Sequence, residues 1–326
     1  MSIEQPNDVA IKRQIIELSQ SAEFFRLKSF YRKKSYWEIL GIARSEIQHS
    51  KFLAWLLTPT ESHQTGDFSL RNLLKSILMI LEKSKQLSPA WLSDDMASAI
   101  ICGNYELANV KVVTEQSIEG KKRIDIWITA KMKIDGEEPF DLQIVIENKV
   151  KSFEHDEQTV IYRQWAEKQN PRAKTICLYL APVPMLKLME IYSDENCGKD
   201  LKPKDPNFVF INYQVIMDCV LRPLLEEMNN SENKGKIQDY IRCLSFYSID
   251  KNNDGKDEIF MAISAEEKNC SMSFWKNTMT SSPLCSKHWR TTNPSMRRTA
   301  NFTGKRQKNN PKEITPSIMF FSTIRG

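Results

Sequence analysis

The chain has 326 residues, 41% hydrophobic and 27% charged, with 10 Gly and 14 Pro, a composition that excludes fibrous and wholly disordered proteins. It contains no run of 18 apolar residues and opens on MSIEQPNDVAIKRQ, which excludes a long apolar membrane helix and lacks the basic-then-apolar order of a secretory leader. The net charge of +5 is uneven: residues 276–326 hold ten Lys/Arg against Glu313 alone, leaving the other 275 residues at −4, so the basic balance is no argument for nucleic-acid binding by the body.

A helical region is predicted from about Val9 to Leu57, interrupted near Tyr31–Ser35, with Leu40, Ile47, Leu53, Leu56 and Leu57 at helical spacing. Pro59 and the polar run Thr60–Asp67 end it, and a second apolar helix is expected over Leu70–Leu81. An irregular stretch follows. The pattern then turns to strands: 110–118, its hairpin partner 122–130 across Glu119–Gly120, and 140–150, the most apolar and therefore the central one. His155–Gln169 reads as a polar amphipathic helix closed by Asn170–Pro171, and 173–182 as a further strand. Residues 183–206 read as loop, 207–213 as a short strand, Tyr213–Met228 as a helix kinked at Pro223, and Ile237–Tyr247 as a last helix. This order predicts an α/β fold with helices flanking the sheet.

Past Trp275 the periodicity stops, and the basic tail is expected to be disordered. Its character differs enough from the body to suggest an unrelated or frame-shifted terminus. The seven cysteines (102, 177, 197, 219, 243, 270, 285) are odd in number, scattered, and form no C-x-x-C. That argues against a disulfide framework or zinc ribbon and for reduced thiols in the cytoplasm.

The chemistry-bearing residues lie on two of the strands. Alternation puts Ile124, Ile126 and Ile128 on one face and Asp125 on the other; Glu147 and Lys149 share a face, opposite Ile144 and Ile146. A hairpin turning near Asp135–Gly136 can set the two carboxylates side by side. Neighbouring carboxylates in apolar strands are costly unless a cation joins them. A hard divalent ion such as Mg²⁺, with Mn²⁺ as a substitute, suits two carboxylates and retained waters. Lys149 would then orient or deprotonate a metal-bound water and neutralise developing charge. The competing reading makes Asp125–Lys149 an internal ion pair and Glu147 a solvated strand end.

Further segments sharpen this. RIDIWI (123–128) followed by IVIENK (144–149) resembles the catalytic core of the PD-(D/E)XK nuclease superfamily. RSEIQHSKFLAWLLTP (44–59), then SHQTGDF (62–68), resembles families in it with an N-terminal R-x-E-x-x-H-S segment, and Gln158 with Tyr162 resembles the Q-x-x-x-Y of RecB-like nucleases. The resemblance covers roughly residues 40–250. It implies a restriction-endonuclease-like αβββαβ core, a mixed sheet flanked by helices. One nuclease-like domain would span 1–275 (a helical N-terminal region over 1–100, the catalytic core over 105–250), followed by the tail 276–326.

By the same resemblance, Asp125 and Glu147 bind metal with the carbonyl of Asn148, Lys149 is catalytic, and Glu46 supplies a further acid. Ile124 stands where the name-giving Pro would be, a position that touches no ligand.

Around these, Gln158 and Tyr162 share a helix face, where Gln158 suits a phosphate or metal-bound water and Tyr162 suits stacking or hydrogen bonding. Arg123, Lys151 and Arg163 are candidate phosphate contacts. His49 lies on the same helix as Glu46, at a spacing that leaves its place near the site open, and the lack of a second His four residues on argues against it as a metal ligand. His155 has no evident partner and is expected to be structural; Trp127 is expected in the core. No G-x-x-x-x-G-K-[ST], G-x-S-x-G or H-E-x-x-H occurs, which removes ATP-driven, α/β-hydrolase and zinc-protease readings.

The expected function is a Mg²⁺-dependent nuclease that hydrolyses phosphodiester bonds in DNA by attack of a Mg²⁺-bound water, leaving, by resemblance, 5′-phosphate and 3′-hydroxyl ends. The alternatives are a catalytically inactive nuclease-fold subunit that binds nucleic acid or serves a defence complex, and an α/β protein whose charged pairs only stabilise it.

Overall fold

The computed structural model describes residues 20–22, 25, 34–150, 154, 156–193, 198–229 and 231–245. The chain divides into two units, Lys34–Ile263 and one joining Met1–Lys33 to Ser264–Gly326; the sheet and its flanking helices belong to the unit Lys34–Ile263. The expected helix before residue 34, the domain limit at 275 and the disordered basic tail lie outside the described residues.

The sheet has five strands in the order β1-β2-β3-β4-β5. They are β1 (Tyr105–Ser117), β2 (Arg123–Ile134), β3 (Phe140–Asn148), β4 (Lys174–Ala181) and β5 (Phe208–Asn212). The first three form an antiparallel meander, while β4 and β5 run parallel to β3. The β1–β2 connection is a tight turn at Glu119–Lys121, with Gly120 at φ 76. β3 is central, and seven of its residues in a row, Leu142–Asn148, are buried, as the continuous apolar run predicts for a strand covered on both faces.

The helices are α1 (Tyr36–Ile39), α2 (Glu46–Leu57), α3 (Phe68–Lys83), α4 (Asp94–Cys102), α5 (Gln158–Gln169), α6 (Met185–Ser193), α7 and α8 (Ser231–Ser245). α7 is composite: an α-helical start at Tyr213–Val215, a π turn over Ile216–Leu221 and an α-helical end at Arg222–Glu227. One large apolar cluster joins α2, α3, α7 and α8 to one face of the sheet through Leu53, Leu56, Leu70, Ile146, Leu180 and Val220. A second cluster covers the other face, where Tyr162 and Ala166 of α5 and Leu188 and Ile191 of α6 meet Val145, Tyr179 and Phe210.

The structure corrects several expectations. The first helical region is broken between α1 and α2, because Gly41 takes φ 70 and the α1 end is followed by turns. The irregular stretch holds α4, started by Ser93 accepting from the Met96 N–H and stopped by Gly103 in the left-handed region at φ 81. Residues 183–206 are not all loop, since α6 forms after Pro184, whose carbonyl accepts from the Leu188 N–H.

In α7 the irregularity precedes Pro223. Proline has no N–H to give the carbonyl four residues earlier, and the backbone adjusts in the turn before it. Finally, Ile126 and Ile128 join the first cluster while Ile124 packs in the second, so the three isoleucines do not form one uniform face.

Candidate active site

β2 and β3 pair through Ile126 and Ile146, which brings the next residues toward the strand ends, Asp125 and Glu147, beside each other. Glu147 is 2% exposed and Lys149 6% exposed, so the competing view of Glu147 as a solvated strand end is wrong. The ion pair also differs from that view: Lys149 Nζ lies 2.6 Å from Glu147 Oε1. The amine donates further to Gln158 Oε1 at 3.0 Å, and Gln158 Nε2 donates to the Tyr162 hydroxyl at 3.3 Å. α5 therefore reaches the end of β3 through one turn of its surface, the spacing that i and i+4 residues share.

Asp125 Oδ2 accepts from the Asn148 N–H at 2.7 Å. Glu46 enters from α2, its Oε1 accepting from the Val150 N–H at 2.9 Å. Glu46, Asp125, Glu147, Asn148, Lys149, Gln158 and Tyr162 are thus joined by this bonding and pairing around the end of β3.

Other candidates stand elsewhere. Arg123 pairs with Glu115 at 3.3 Å, and Arg163 is committed to Asp205 and Glu167, so Arg163 is not a free phosphate contact. Trp127 is half-buried against Trp165, its ring 5.0 Å away. Lys151 and His155 lie outside the described residues.

Electrostatics give the site its character. Burial pushes the carboxyls of Asp125 and Glu147 up from the usual carboxylate range, and at Glu147 the charge of Asp125 adds to this. The Asn148 N–H and Lys149 oppose this at Asp125, while Glu115 adds to it. Glu115 is absent from the residues singled out in the sequence, yet the pairs Thr114–Ile126 and Gln116–Ile124 bracket Glu115 and Asp125. Strand alternation carried one strand further finds it.

Burial alone would lower the Lys149 pKa, but Glu147, then Asp125 and Glu46, outweigh it, and the amine is held above its ordinary value. An amine held above its ordinary value in the metal-free protein suits the orienting and charge-neutralising part of the role expected for it.

One atom tests the fit of a metal. Glu147 Oε2 is buried and has no donor while the carboxyl is ionised; in the metal-free protein a proton on Glu147 satisfies it through the hydrogen bond to Asp125. Two carboxylates cannot satisfy each other while both are ionised, and a buried carboxylate oxygen without a partner is costly. A hard cation satisfies both acids with oxygen ligands. Among the described residues no group of three or more His, Cys, Asp and Glu is arranged to hold an ion. Asp125 and Glu147 are two neighbouring carboxylates, an oxygen-donor pair that fits a hard divalent ion which keeps several of its waters.

His49 shows what a buried histidine does without metal. Its Nε2 lies 2.9 Å from the Ala43 carbonyl, which can only accept, so Nε2 carries the proton and Nδ1, 3.0 Å from the Tyr240 hydroxyl, accepts. Trp37 stacks on the ring at 5.0 Å. His49 is thus a satisfied core residue. Burial pushes its pKa down to about 4, against smaller upward effects of the Ala43 carbonyl and Glu46.

A depressed histidine stays neutral in the folded chain while the unfolded chain takes up the proton below about 6.5. Its stabilising contribution is therefore full above that pH and is lost as the pH falls toward 4. Urea unfolding between about pH 7 and pH 4.5 should show a loss of up to roughly 1.4 kcal/mol per pH unit from this residue. His49→Gln should flatten that slope; an unchanged slope would remove His49 as its source.

Comparison with known proteins now bears on this arrangement. A sequence model of the PD-(D/E)XK nuclease superfamily matches residues 35–243. The chain belongs to the PD-(D/E)XK nuclease superfamily. That assignment, with the mixed five-stranded sheet and its flanking helices, establishes a restriction-endonuclease-like α/β fold. No curated protein matches the chain, and no solved structure does. Members of the superfamily are generally nucleases that use divalent metals, so nucleic acid is the substrate class the family implies. No helix among the described residues is long and apolar enough to cross a membrane.

Proposed function

We propose that this protein is a Mg²⁺-dependent nuclease that hydrolyses phosphodiester bonds in DNA, with Mn²⁺ able to substitute. The observation that carries the reading is the buried Oε2 of Glu147, which has no donor while ionised, beside Asp125, with the Lys149 amine 2.6 Å from the other oxygen of the same carboxylate. Asp125, Glu147 and the main-chain carbonyl of Asn148 would hold the ion. Mg²⁺ bound there supplies neutralisation of phosphate charge and a more acidic water.

The chain's own groups do the rest. Asp125 and Glu147 give hard oxygen ligands whose mutual repulsion the ion removes. Lys149, kept protonated, donates toward the reacting phosphate and offsets negative charge as it builds up. Gln158 aims the amine by accepting from it, and Tyr162 holds Gln158 in turn. Glu46 supports the site by holding the Val150 N–H just past Lys149. Free cysteines, with Cys177 and Cys243 buried, support a reducing, cytoplasmic setting.

The test is direct. Purified full-length protein should nick or degrade DNA with Mg²⁺ or Mn²⁺, stop when a chelator is added, and leave 5′-phosphate and 3′-hydroxyl ends. Calorimetric titration should show Mg²⁺ binding that Glu147→Gln removes. Neither binding nor cleavage would mean an inactive nuclease fold.

A further inference from the structure

The residue between Glu147 and Lys149 is an asparagine with no exposed surface. It sits in the central strand, where an aliphatic side chain would be cheaper to bury. By alternation its side chain points away from the two acids, so it cannot touch what they bind. Yet every hydrogen-bonding group of its carboxamide is engaged. Nδ2 donates to Ser50 Oγ at 3.0 Å and to the Glu46 carbonyl at 3.3 Å, and Oδ1 accepts from the Tyr213 hydroxyl at 2.5 Å. Its main-chain N–H is held by Asp125. Ser50 in turn donates to the Glu46 carbonyl at 2.9 Å.

These bonds tie three elements at one residue: the first turns of α2, the end of β3 and the start of α7. The tie is doubled, because the Asn148 side chain bonds the Glu46 main chain while the Glu46 side chain bonds the Val150 main chain. The peptide units on either side of Asn148 are thereby fixed in rotation, and they carry Glu147 and Lys149. Tyr213 is also fully buried, and its hydroxyl reaches the only oxygen of that carboxamide.

We propose that Tyr213 is a positioning residue that acts through Asn148: its hydroxyl locks the carboxamide, and the carboxamide sets the main chain that aims Glu147 and Lys149 at a shared ion. This rests on the reading of the site as a metal-dependent nuclease. It adds a residue 65 positions from Asn148, and one that contacts neither metal nor substrate.

The experiment compares native protein with Tyr213→Phe, which keeps the ring and deletes the hydroxyl. Tyr213→Phe should bind Mg²⁺ about 10-fold more weakly by calorimetry, as loss of an outer partner of a metal site does. Its kcat on DNA should fall by a similar factor with KM unchanged. In metal-free protein, amide exchange should accelerate at Asn148 and Val150 more than in the strand interior. Ser50→Ala, which removes an acceptor of the same carboxamide, should move all three readouts in the same direction, and serves if Tyr213→Phe does not fold.

A variant of lowered thermal stability with native Mg²⁺ affinity, native kcat and native exchange at these amides would overturn the proposal and leave Tyr213 an ordinary core tyrosine. If native protein neither binds Mg²⁺ nor cleaves, the nuclease reading fails and this positioning role falls with it. If native protein does both and the variants match it, only the role of Tyr213 fails.

Discussion

Asp125→Asn is expected to stabilise the metal-free protein by roughly 1–2 kcal/mol while abolishing cleavage. Burial, and to a lesser degree Glu115, make the charged carboxylate of Asp125 less favourable in the folded chain than in the unfolded one, and that charge in turn disfavours the charged form of Glu147. A group with a raised pKa costs stability above its unfolded value, and that cost fades as the pH falls through the folded value. Asparagine removes the charge at every pH. Its carbonyl oxygen can still accept from the Asn148 N–H, and its new NH₂ can donate to Glu147 Oε2.

The measurement is thermal or urea unfolding in chelator near neutral pH, with DNA cleavage assayed beside it. Added Mg²⁺ should stabilise native protein and leave the variant unmoved, since ligand stabilises only a folded state that binds it. A variant less stable than native protein in chelator would mean that Asp125 serves as a structural ion-pair partner and that no metal site exists.

Lys149→Ala should behave oppositely in stability and identically in activity. Among the described residues its amine is the one cation paired with Glu147, and both side chains are almost wholly buried. Removing one member of a buried pair leaves an uncompensated charge, with a typical cost of about 3–5 kcal/mol. Metal-free protein should lose stability on that order, and Mg²⁺ should restore part of it by taking over the neutralisation. Cleavage should drop by at least about 10²-fold, the scale for loss of a group that stabilises developing charge. The pair of variants therefore separates a metal site from a structural ion pair by sign alone. Activity equal to native in Lys149→Ala would show that another site, or a contaminant, does the cutting.

Much of the site was legible because strand arithmetic is rigid. The interval from Asp125 to Glu147 and the i, i+2 relation of Glu147 to Lys149 suffice to bring two acids and an amine together once the segments are strands. Gln158 and Tyr162 were legible by the same logic on a helix. Helix α4 carried its signals in plain view, Ser93 before Asp94–Asp95 and Gly103 after, but its short apolar pattern gave no strong periodicity to notice. The partners of Asn148 were not legible at all. Tyr213 and Ser50 lie 65 and 98 positions away, and no local pattern specifies which buried hydroxyl will meet which carboxamide. The protonation of Lys149 was likewise invisible, since it depends on how burial and the nearby carboxylates balance.

The outermost strand β1 holds two non-glycine residues in the left-handed region, Asn109 and Glu115, both at φ 53, and its register with β2 slips between Ala108 and Lys111. An open sheet margin is a template onto which a second chain can lay a straight strand and begin a fibre. Here the margin slips register beside Asn109 and holds a second left-handed residue at Glu115, so a straight newcomer would forfeit ladder bonds there. Glu115 also falls beside Asp125, which puts a guard against fibre growth and the proposed site at one stretch of backbone.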